Sequence, residues 1–295
     1  MSDTLESLRR KINGAGDLES VVRTMKVLAA SNILQYEKAV SSLGDYYRTV
    51  ELGLFVCFQR AGEPTVTERE WQSKTETIGA VVFGSDQGLV GQFNDVLSEF
   101  TCSILENFQG EKRIWAVGER IQARLEDSGL PLAGLFPVPN SVNTITPLIG
   151  QILVENETHR EKGEISQLFI FHNMPKPGAI YEPFVQRLLP LDEKWRSSVA
   201  QLKWPTNNIP EAMNGIEPTL HGLIRHYLFI SLFRACAESL ASENASRLAA
   251  MQRAEKNIDE LLEDLNRAFH RLRQSTIDEE LFDVISGSEA LSKEK

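Results

Sequence analysis

The sequence predicts an α/β protein in which helices at the two ends of the chain form a long antiparallel coiled coil. A three-layer, Rossmann-like α/β domain is inserted between these helices. Residues 217–285 carry no proline after Pro218 and no glycine after Gly222, so they read as one helix of roughly 100 Å. Apolar residues recur every three to four positions at both ends of the chain, whereas the middle section has short, β-branched apolar runs. Together these patterns predict a shaft that carries a globular domain.

Two stretches of the sequence have the alternating four-three spacing of a coiled-coil seam. The C-terminal seam consists of Ala254, Ile258, Leu261, Leu265, Ala268 and Leu272. The N-terminal seam consists of Leu18, Val22, Met25, Ala29, Asn32, Tyr36, Ala39, Leu43, Tyr46 and Val50. Two such stripes in one chain bury each other most simply as an antiparallel pair.

The N-terminal helix is predicted to begin at Asp3 or Thr4, whose side chains can accept from the first free amides. Gly14 and Gly16 lie in its path, and each costs about 1 kcal/mol relative to alanine. The helix is therefore either held straight by packing or kinked there. Asn32 at a seam position either fixes the register of the pair or lies where the partner helix is absent.

The middle section alternates between strand and helix patterns, which predicts a mostly parallel sheet. Predicted strands cover residues 77–83, 113–117, 165–171 and 184–189, and predicted helices cover 94–108, 119–127 and 144–160. Asn94 is expected to cap the first of these helices, and Pro147 to lie in the first turn of the third. Residues 175–178 connect the last two strands, and 195–215 form a link. The predicted domain limits are therefore 1–58, 75–192 and 216–286.

The composition of the 295 residues is typical of soluble proteins, with a net charge of -10 and a pI near 5.2. This balance argues against general binding to nucleic acid. Arg9, Arg10, Lys11, Arg23 and Lys26 form a local basic patch, which is either a solvated helix face or a docking surface for an acidic partner. The three cysteines include no CxxC pair, which suits a reducing cytoplasm. No apolar run is long enough for a membrane span, so any membrane association is expected through partners.

The glycine-containing loop from Gly84 to Gly91 follows a predicted strand and precedes a predicted helix, where phosphate-binding loops lie. It lacks the lysine of a P-loop and the spacing of a dinucleotide fingerprint, so a structural turn or docking surface is favoured over nucleotide binding. No catalytic motif frames a nucleophile or a metal. Glu161 and Glu164 near His159 are more economically explained by a charged helix end. No cofactor is therefore expected.

Four groups of residues resemble the γ subunit of F-type ATP synthases. The matching segments are 8–12 with 22–31 (LRRKI and VRTMKVLAAS), 238–251 (ESLASENASRLAAM), 271–291 (RLRQSTIDEELFDVISGSEAL) and 85–94 (SDQGLVGQFN). They cover both helical ends and the middle domain, so the resemblance extends over the whole chain. Gln87 and Val90 depart from the arginine and cysteine usual in the family, and Asp278 stands where threonine is common. These departures indicate a divergent, bacterial-type member.

The resemblance implies a non-catalytic rotor that couples H+ or Na+ translocation to ATP synthesis or hydrolysis. The implied partners are the α and β subunits of the α3β3 hexamer, the ε subunit and the membrane c-ring. By motif position, the contacts with the hexamer are expected at Arg9, Arg10, Met25, Arg247, Arg273, Gln274 and Asp278. Those with the foot of the complex are expected at Ser85, Asp86, Gln87, Gly88 and Asn94. The implied location is the cytoplasmic face of a bacterial inner membrane.

Two functions of other classes remain as alternatives to a rotor. One is a regulator whose α/β domain binds a nucleotide at Gly84–Gly91, and the other is a passive coiled-coil tether.

Overall fold

A computed structural model describes residues 4–61, 77–191, 199, 201–202, 204–208, 210–213 and 215–293, and for residues 61, 179 and 286–293 it describes the backbone alone. The helices are α1 (Leu5–Ser42), α2 (Gly44–Ala61), α3 (Phe93–Leu105), α4 (Glu119–Asp127), α5 (Val142–Glu161) and α6 (Ile216–Lys293). The strands are β1 (Ile78–Phe83), β2 (Lys112–Val117), β3 (Leu132–Phe136), β4 (Gln167–Lys176) and β5 (Ala179–Leu189). The predicted link at 195–215 lies in part outside the described residues.

The five strands form one sheet in the order β3-β2-β1-β4-β5. All neighbours are parallel except β4 and β5, which form an antiparallel hairpin. The connection between β4 and β5 is a turn at Pro177 and Gly178, inside the predicted segment 175–178. The predicted fold class, a mostly parallel α/β domain between coiled-coil helices, is confirmed.

Strand β1 lies at the centre of the sheet and is buried along its whole length, as a parallel strand covered on both faces must be. Val81 and Phe83 face a core that includes α5, α2 and the first part of α6. Ala80 and Val82 face the opposite core, which is closed by α3 and α4. The sheet is therefore the middle of three layers.

The chain divides into two compact units. One unit contains residues 1–29 and 248–295, and the other contains residues 30–247. The boundaries between them cut through α1 and α6, so residues 30–61 and 216–247 belong with the sheet. The limits 1–58, 75–192 and 216–286 stay a prediction of the sequence.

In the first unit, α1 buries one residue per heptad. These residues are Leu8, Ala15, Val22 and Ala29. On α6, Met251 is buried, and the half-buried side chains continue through Ala254, Ile258, Leu262, Leu265, Phe269, Leu272 and Thr276. The heptad prediction is confirmed, but single positions in it were wrong: Leu18 and Leu261 are exposed by 58% and 48%. Ala268 is also exposed, because the neighbouring Phe269 takes the seam position.

In the second unit, the terminal helices pair in antiparallel orientation. Asn32 Nδ2 on α1 donates to Asn244 Oδ1 on α6 over 3.3 Å. Tyr46 Oη on α2 lies 2.7 Å from His226 Nδ1 on α6. Partner numbers thus fall as the N-terminal numbers rise. Of the two interpretations of Asn32, the one in which it meets a partner in the seam is correct.

Helix α1 starts where the sequence predicts, since Thr4 Oγ1 accepts from the amide of Ser7 over 3.2 Å. It continues as regular helix through Gly14 and Gly16, so the alternative of an unbroken helix is the correct one there. The helix is interrupted instead at Leu43, which is a turn residue between α1 and α2. Predicted seam residue Tyr46 follows this turn and is 39% exposed.

Three details of the middle section differ from the prediction. Strand β3 was missed, because it is a short edge strand without apolar alternation and Gly134 stands at its centre. A Cβ at Gly134 would lie 3.0 Å from the Trp115 indole, so the glycine allows this ring to pack. Pro147 is the sixth residue of α5, not part of its first turn, which is closed by a Ser141–Thr144 capping box. Asn94 lies inside α3, and Gln92 is the N-cap.

Among the helices that the structure describes, none combines the length and the apolar character that a membrane crossing requires.

Candidate functional site

The loop that follows β1, residues 84–92, is held together by the pair Ser85 and Asn94. The Ser85 amide donates to Asn94 Oδ1 over 3.1 Å, and Asn94 Nδ2 donates to Ser85 Oγ over 2.8 Å. Ser85 Oγ donates in turn to the carbonyl of Gln87 over 3.0 Å. Ser85 and Asn94 are both buried. These two predicted foot residues therefore fix the conformation of the loop through internal hydrogen bonds, and their buried side chains are not available to a partner.

Asp86 connects the loop to two neighbouring segments. Its Oδ1 accepts from the amide of Glu119 at the start of α4 over 2.9 Å, and its Oδ2 accepts from the amide of Val138 over 2.9 Å. A carboxylate at a helix N-terminus is favoured by the helix dipole as well as by the hydrogen bond. The two carboxylate oxygens of Asp86 thus link the loop to the start of α4 and to Val138.

The tip of the loop is the part that reaches solvent. Gln87 is exposed and Gly88 is half-buried. Leu89 is 61% exposed and has a left-handed backbone with φ 63°. A left-handed backbone is uncommon for leucine. Of the predicted foot residues, Gln87 and Gly88 are the ones available to a partner, and the exposed Leu89 lies in the same predicted segment, 85–94.

Helix α6 occupies the crevice at the carboxyl ends of β1 and β4, which is where open α/β sheets bind ligands. Ser239 Oγ donates to the carbonyl of Phe83 over 2.9 Å, and Ser246 Oγ donates to that of Val90 over 2.5 Å. At Gly84, a Cβ would come within 2.2 Å of Ile121. The loop is packed against protein on these sides, so its geometry favours a structural turn over a phosphate-binding loop.

A buried pair, His172 and Glu238, joins β4 to α6 next to this crevice, and the more exposed Arg234 also contacts it. His172 Nε2 lies 2.9 Å from Glu238 Oε2, and Arg234 Nε donates to Glu238 Oε1 over 2.7 Å. Burial works against ionisation of Glu238, but the hydrogen bonds from His172 and Arg234 outweigh it and lower the pKa of this carboxyl. These contacts therefore hold a carboxylate in the core of the unit.

Arg247, a predicted hexamer contact, already has a partner within the chain. Its Nη2 lies 2.6 Å from Glu243 Oε1, and both side chains are largely buried. Burial raises the pKa of the Glu243 carboxyl, and the charge of Arg247 opposes that shift. This ion pair joins two successive turns of α6.

The other predicted hexamer contacts lie on the first unit. Arg9 is exposed, and Arg10 is exposed with its Nη2 2.5 Å from Glu6 Oε1. Met25 is half-buried, next to an ion pair between Lys26 and Glu255. Arg273, Gln274 and Asp278 are exposed on α6. The basic patch is thus partly paired along the helix and partly across to α6, and the polar residues near the end of α6 are open to contact.

Large apolar side chains are exposed on both helices of the first unit. On α1 they are Leu18, Val21, Val27 and Leu28, exposed by 56% to 66%. On α6 they are Leu261, Ile277, Leu281, Phe282, Val284 and Ile285, exposed by 46% to 70%. Concentrated apolar exposure marks an interaction surface. The predicted contact residues did not include these positions. Ile277, Leu281 and Val284 repeat at helical spacing after the predicted seam ends at Leu272, and this pattern could have identified them.

Within the described ranges, no group of three histidine, cysteine or acidic residues is arranged to bind a metal ion. His159 and Glu164 instead form a surface cluster with Arg113, in which Glu164 Oε2 lies 2.6 Å from His159 Nδ1 and 3.0 Å from Arg113 Nη1. The hydrogen bond from His159 is the main reason why the pKa of the Glu164 carboxyl is lowered.

Known sequences match this chain over nearly its full length. The profile of a family described as ATP synthase matches residues 4–291. The ATP synthase gamma chain of Dechloromonas aromatica (strain RCB) is 26% identical over 292 residues, which cover 97% of this chain and 99% of that one. The ATP synthase gamma chain of Salinibacter ruber (strain DSM 13855 / M31) is 28% identical over 309 residues, with 98% of each chain covered.

Solved structures share the fold. A chain of the Euglena gracilis mitochondrial ATP synthase, in an OSCP/F1/c-ring structure in rotational state 3, superposes with a TM-score of 0.66 at 16% identity and covers 97% of this chain and 94% of that one. A chain of the rotor of the same enzyme in rotational state 1 gives a TM-score of 0.61 at 17% identity, with 92% and 98% covered.

Proposed function

The chain belongs to the ATP synthase γ-chain family, the central-stalk rotor subunits, and on this premise we propose that it transmits torque between an ion-driven c-ring and a catalytic α3β3 hexamer. A γ chain is a non-catalytic stalk subunit, so ATP chemistry belongs to the partner subunits. Rotation of an asymmetric shaft would present different faces to the three catalytic β subunits in turn and change their nucleotide affinities in sequence.

The observation that carries the proposal is the exposed apolar surface of the first unit. Ile277, Leu281 and Phe282 on α6 are exposed by 53%, 57% and 68%, and Ile277 and Leu281 lie one helical turn apart. Full burial of one such side chain is worth about 1.5–3 kcal/mol, so leaving all of them in water is unfavourable. Subunits that surround the helices on all sides would bury these side chains. A ring of subunits such as the α3β3 hexamer has this arrangement.

We assign the polar contacts with the hexamer to the same surface. Arg273, Gln274 and Asp278 lie within one turn of Ile277 and are exposed, which supports their role in contacts with the hexamer. Arg9 and Arg10 are exposed on α1 and are retained in the proposal. Met25 would act through seam packing, since it is half-buried.

Arg247 and the loop after β1 have different parts in the mechanism. Arg247 is paired with Glu243, so its contribution to coupling would pass through the packing of α6 and not through a bond to the hexamer. In the loop after β1, Gln87, Gly88 and Leu89 would meet the ε subunit or the c-ring, while Ser85, Asp86 and Asn94 would hold the loop in shape.

The assemblies that contain the related structures support the choice of partners. The Euglena gracilis structure contains OSCP, F1 and the c-ring, and a related Tetrahymena thermophila structure is described as central stalk and c-ring. We place this chain in the same position, attached to the membrane through its partners at the cytoplasmic face of a bacterial inner membrane. The coupling ion, H+ or Na+, would be selected by the c-ring.

The proposal is tested by mixing the purified chain with α and β subunits from the same genome and measuring complex mass and ATPase rate. One copy per three αβ pairs and stimulated, sustained hydrolysis are expected. Ile277→Asp combined with Leu281→Asp should weaken assembly about a hundredfold or more, because two buried apolar contacts are lost. Val154→Asp is the matched control, since Val154 is 59% exposed on α5 in the other unit.

Circular dichroism of the double variant separates loss of contact from loss of helix. Unchanged assembly by the double variant would contradict the assignment of this surface. Stable homodimers that ignore α and β would support a tether instead of a rotor.

A further inference from the structure

The last part of α6 extends beyond the start of its partner helix. Lys26 on α1 forms an ion pair with Glu255 on α6. Leu5 lies 21 residues before Lys26, and Thr276 lies 21 residues after Glu255. Because the two helices are antiparallel, Leu5 at the start of α1 is expected opposite Thr276. Thr276 is also the last half-buried side chain of α6, and all those of residues 277–285, here called the end segment, are exposed.

One side of the end segment is apolar. Ile277, Leu281, Val284 and Ile285 fall within an arc of about 100° on a helix with 3.6 residues per turn. These side chains are exposed by 46% to 70%. Such a stripe is typical of a helix that docks into an apolar groove of another protein.

The rest of the end segment is acidic. By helical position, Asp278 and Glu280 border the apolar stripe on its two sides, and Glu279 and Asp283 lie on the opposite side of the helix. No lysine or arginine occurs in residues 274–292. The end segment is therefore an amphipathic helix whose polar side carries only negative charge.

The four carboxylates of the end segment form no ion pair with any residue that the structure describes. Earlier on α6, by contrast, Asp264 pairs with Arg267 one turn away. Glu279 and Asp283 lie four residues apart, and like charges at this spacing repel each other and destabilise a helix. A partner that supplies both apolar and positively charged groups would cover the stripe and remove this repulsion.

We propose, on the basis of the rotor function proposed above, that the end segment docks on a surface of the α3β3 hexamer in which an apolar strip is bordered by lysine and arginine side chains. The apolar stripe supplies most of the binding free energy. The carboxylates select a hexamer with matching positive charge, since charged groups around an apolar contact contribute mainly to specificity and to the rate of encounter.

The test is a competition for a limiting amount of α and β subunits from the same genome. The wild-type chain and an isotope-labelled triple variant, Glu279→Gln with Glu280→Gln and Asp283→Asn, are added in equal amounts, and mass spectrometry gives their ratio in the purified complex. At about 50 mM salt, the variant should be incorporated about tenfold less, because three exposed ion pairs each contribute a factor of about two. At about 500 mM salt, the ratio should approach one, because salt screens exposed charges.

Two control variants separate charge from helix structure. The first, Glu279→Asp with Glu280→Asp and Asp283→Glu, keeps every charge and should be incorporated like the wild type. The second removes three exposed charges from the second unit through Glu99→Gln, Glu106→Gln and Glu161→Gln. It should also be incorporated like the wild type, because these positions lie outside the end segment. Circular dichroism shows whether all three variants keep the helix content of the wild type.

Equal incorporation of the neutralised variant at low salt would overturn the proposal. A preference for the wild type that does not weaken with salt would also overturn it, because a charge contact is screened. Stable dimers of the chain alone at low salt would assign the end segment to a second copy and refute the hexamer as its partner. A wild-type chain that enters no complex with α and β at either salt concentration would instead contradict the rotor function on which the proposal rests.

Discussion

His172 on β4 and Glu238 on α6 form a buried hydrogen bond in which Nε2 and Oε2 are 2.9 Å apart. Their side chains are exposed by 2% and 9%. The bond joins the sheet to a helix that is distant in sequence, and it is one of the links through which α6 is held in the second unit.

Glu238→Gln should lower the free energy of unfolding at pH 7 by about 1–3 kcal/mol, because a buried charge-assisted contact is weakened. The pKa of Glu238 is lowered from 4.5 in the folded state, so the unfolded state binds its proton more tightly. The stabilisation is therefore complete above about pH 5 and is lost as the pH falls through the folded-state pKa.

Urea unfolding of the two proteins between pH 7 and pH 4 measures this dependence. The difference between wild type and Glu238→Gln should shrink as the pH falls. Glu182→Gln, which alters a surface ion pair with Lys176, is the control and should change stability by less than about 1 kcal/mol. A difference that stays constant with pH would show that ionisation of Glu238 is not involved.

Gly14→Ala and Gly16→Ala should each stabilise the protein by about 1 kcal/mol or slightly less. Both glycines are helical, and a Cβ at either one would meet no described atom outside the local helix within 4 Å. Thermal or denaturant unfolding gives the measurement. Gly118→Ala is the opposite control, because Gly118 has φ 117° and its Cβ would lie 2.7 Å from the backbone of Ser85. Destabilisation by the first two changes would mean that the glycines are needed for a bend.

Asp86→Ala should destabilise the second unit by about 2–4 kcal/mol, since two backbone amides lose a charged acceptor. Asp86→Asn keeps one acceptor oxygen and should recover part of the loss. Amide exchange at Glu119 and Val138 reports the two bonds directly. Gln87→Ala, at an exposed neighbour, should leave stability within about 0.5 kcal/mol. Equal effects of Ala and Asn at position 86 would show that the acceptor geometry does not matter.

The pair Asn32 and Asn244 should show an interaction energy of about 0.5–1.5 kcal/mol in a double-mutant cycle with alanine. The Asn244 amide nitrogen already donates to the carbonyl of Leu240 over 2.8 Å, so its oxygen is oriented towards Asn32. Denaturant unfolding of the wild type, both single variants and the double variant supplies the cycle. Strictly additive effects would show that the 3.3 Å contact contributes no stability of its own.

Much of the fold could be predicted from local pattern. The strand at residues 78–83 and the helix at 119–127 were predicted to within a residue, because a continuous β-branched run and a strongly amphipathic segment each have one stable solution. Strand β3 was not predicted, because its residues become a strand only through pairing with β2. At Leu261 and Leu262, two adjacent apolar residues fit the heptad equally well, and only packing selects Leu262.

The candidate site was less predictable. Motif positions identified the loop at 85–94, but they could not separate the residues that shape it, such as Ser85 and Asn94, from those that reach solvent, such as Gln87. Motif position also suggested Arg247 as a partner contact, whereas Glu243, one turn away, pairs with it in a buried position. Burial depends on segments remote in sequence, so no local pattern contains it.

By itself, the sequence determined the spacing of apolar residues in each segment, which predicts the helical ends and the parallel sheet. Its motifs also indicated the family. The helical ends and the sheet follow from the side-chain spacing along one stretch of chain, which local backbone geometry converts into a face. The tertiary structure alone decided which polar side chains are buried together, that α6 fills the crevice above β1 and β4, and which apolar residues stay in water. Those outcomes depend on contacts between residues as distant as His172 and Glu238, and packing free energy, not spacing, selects them.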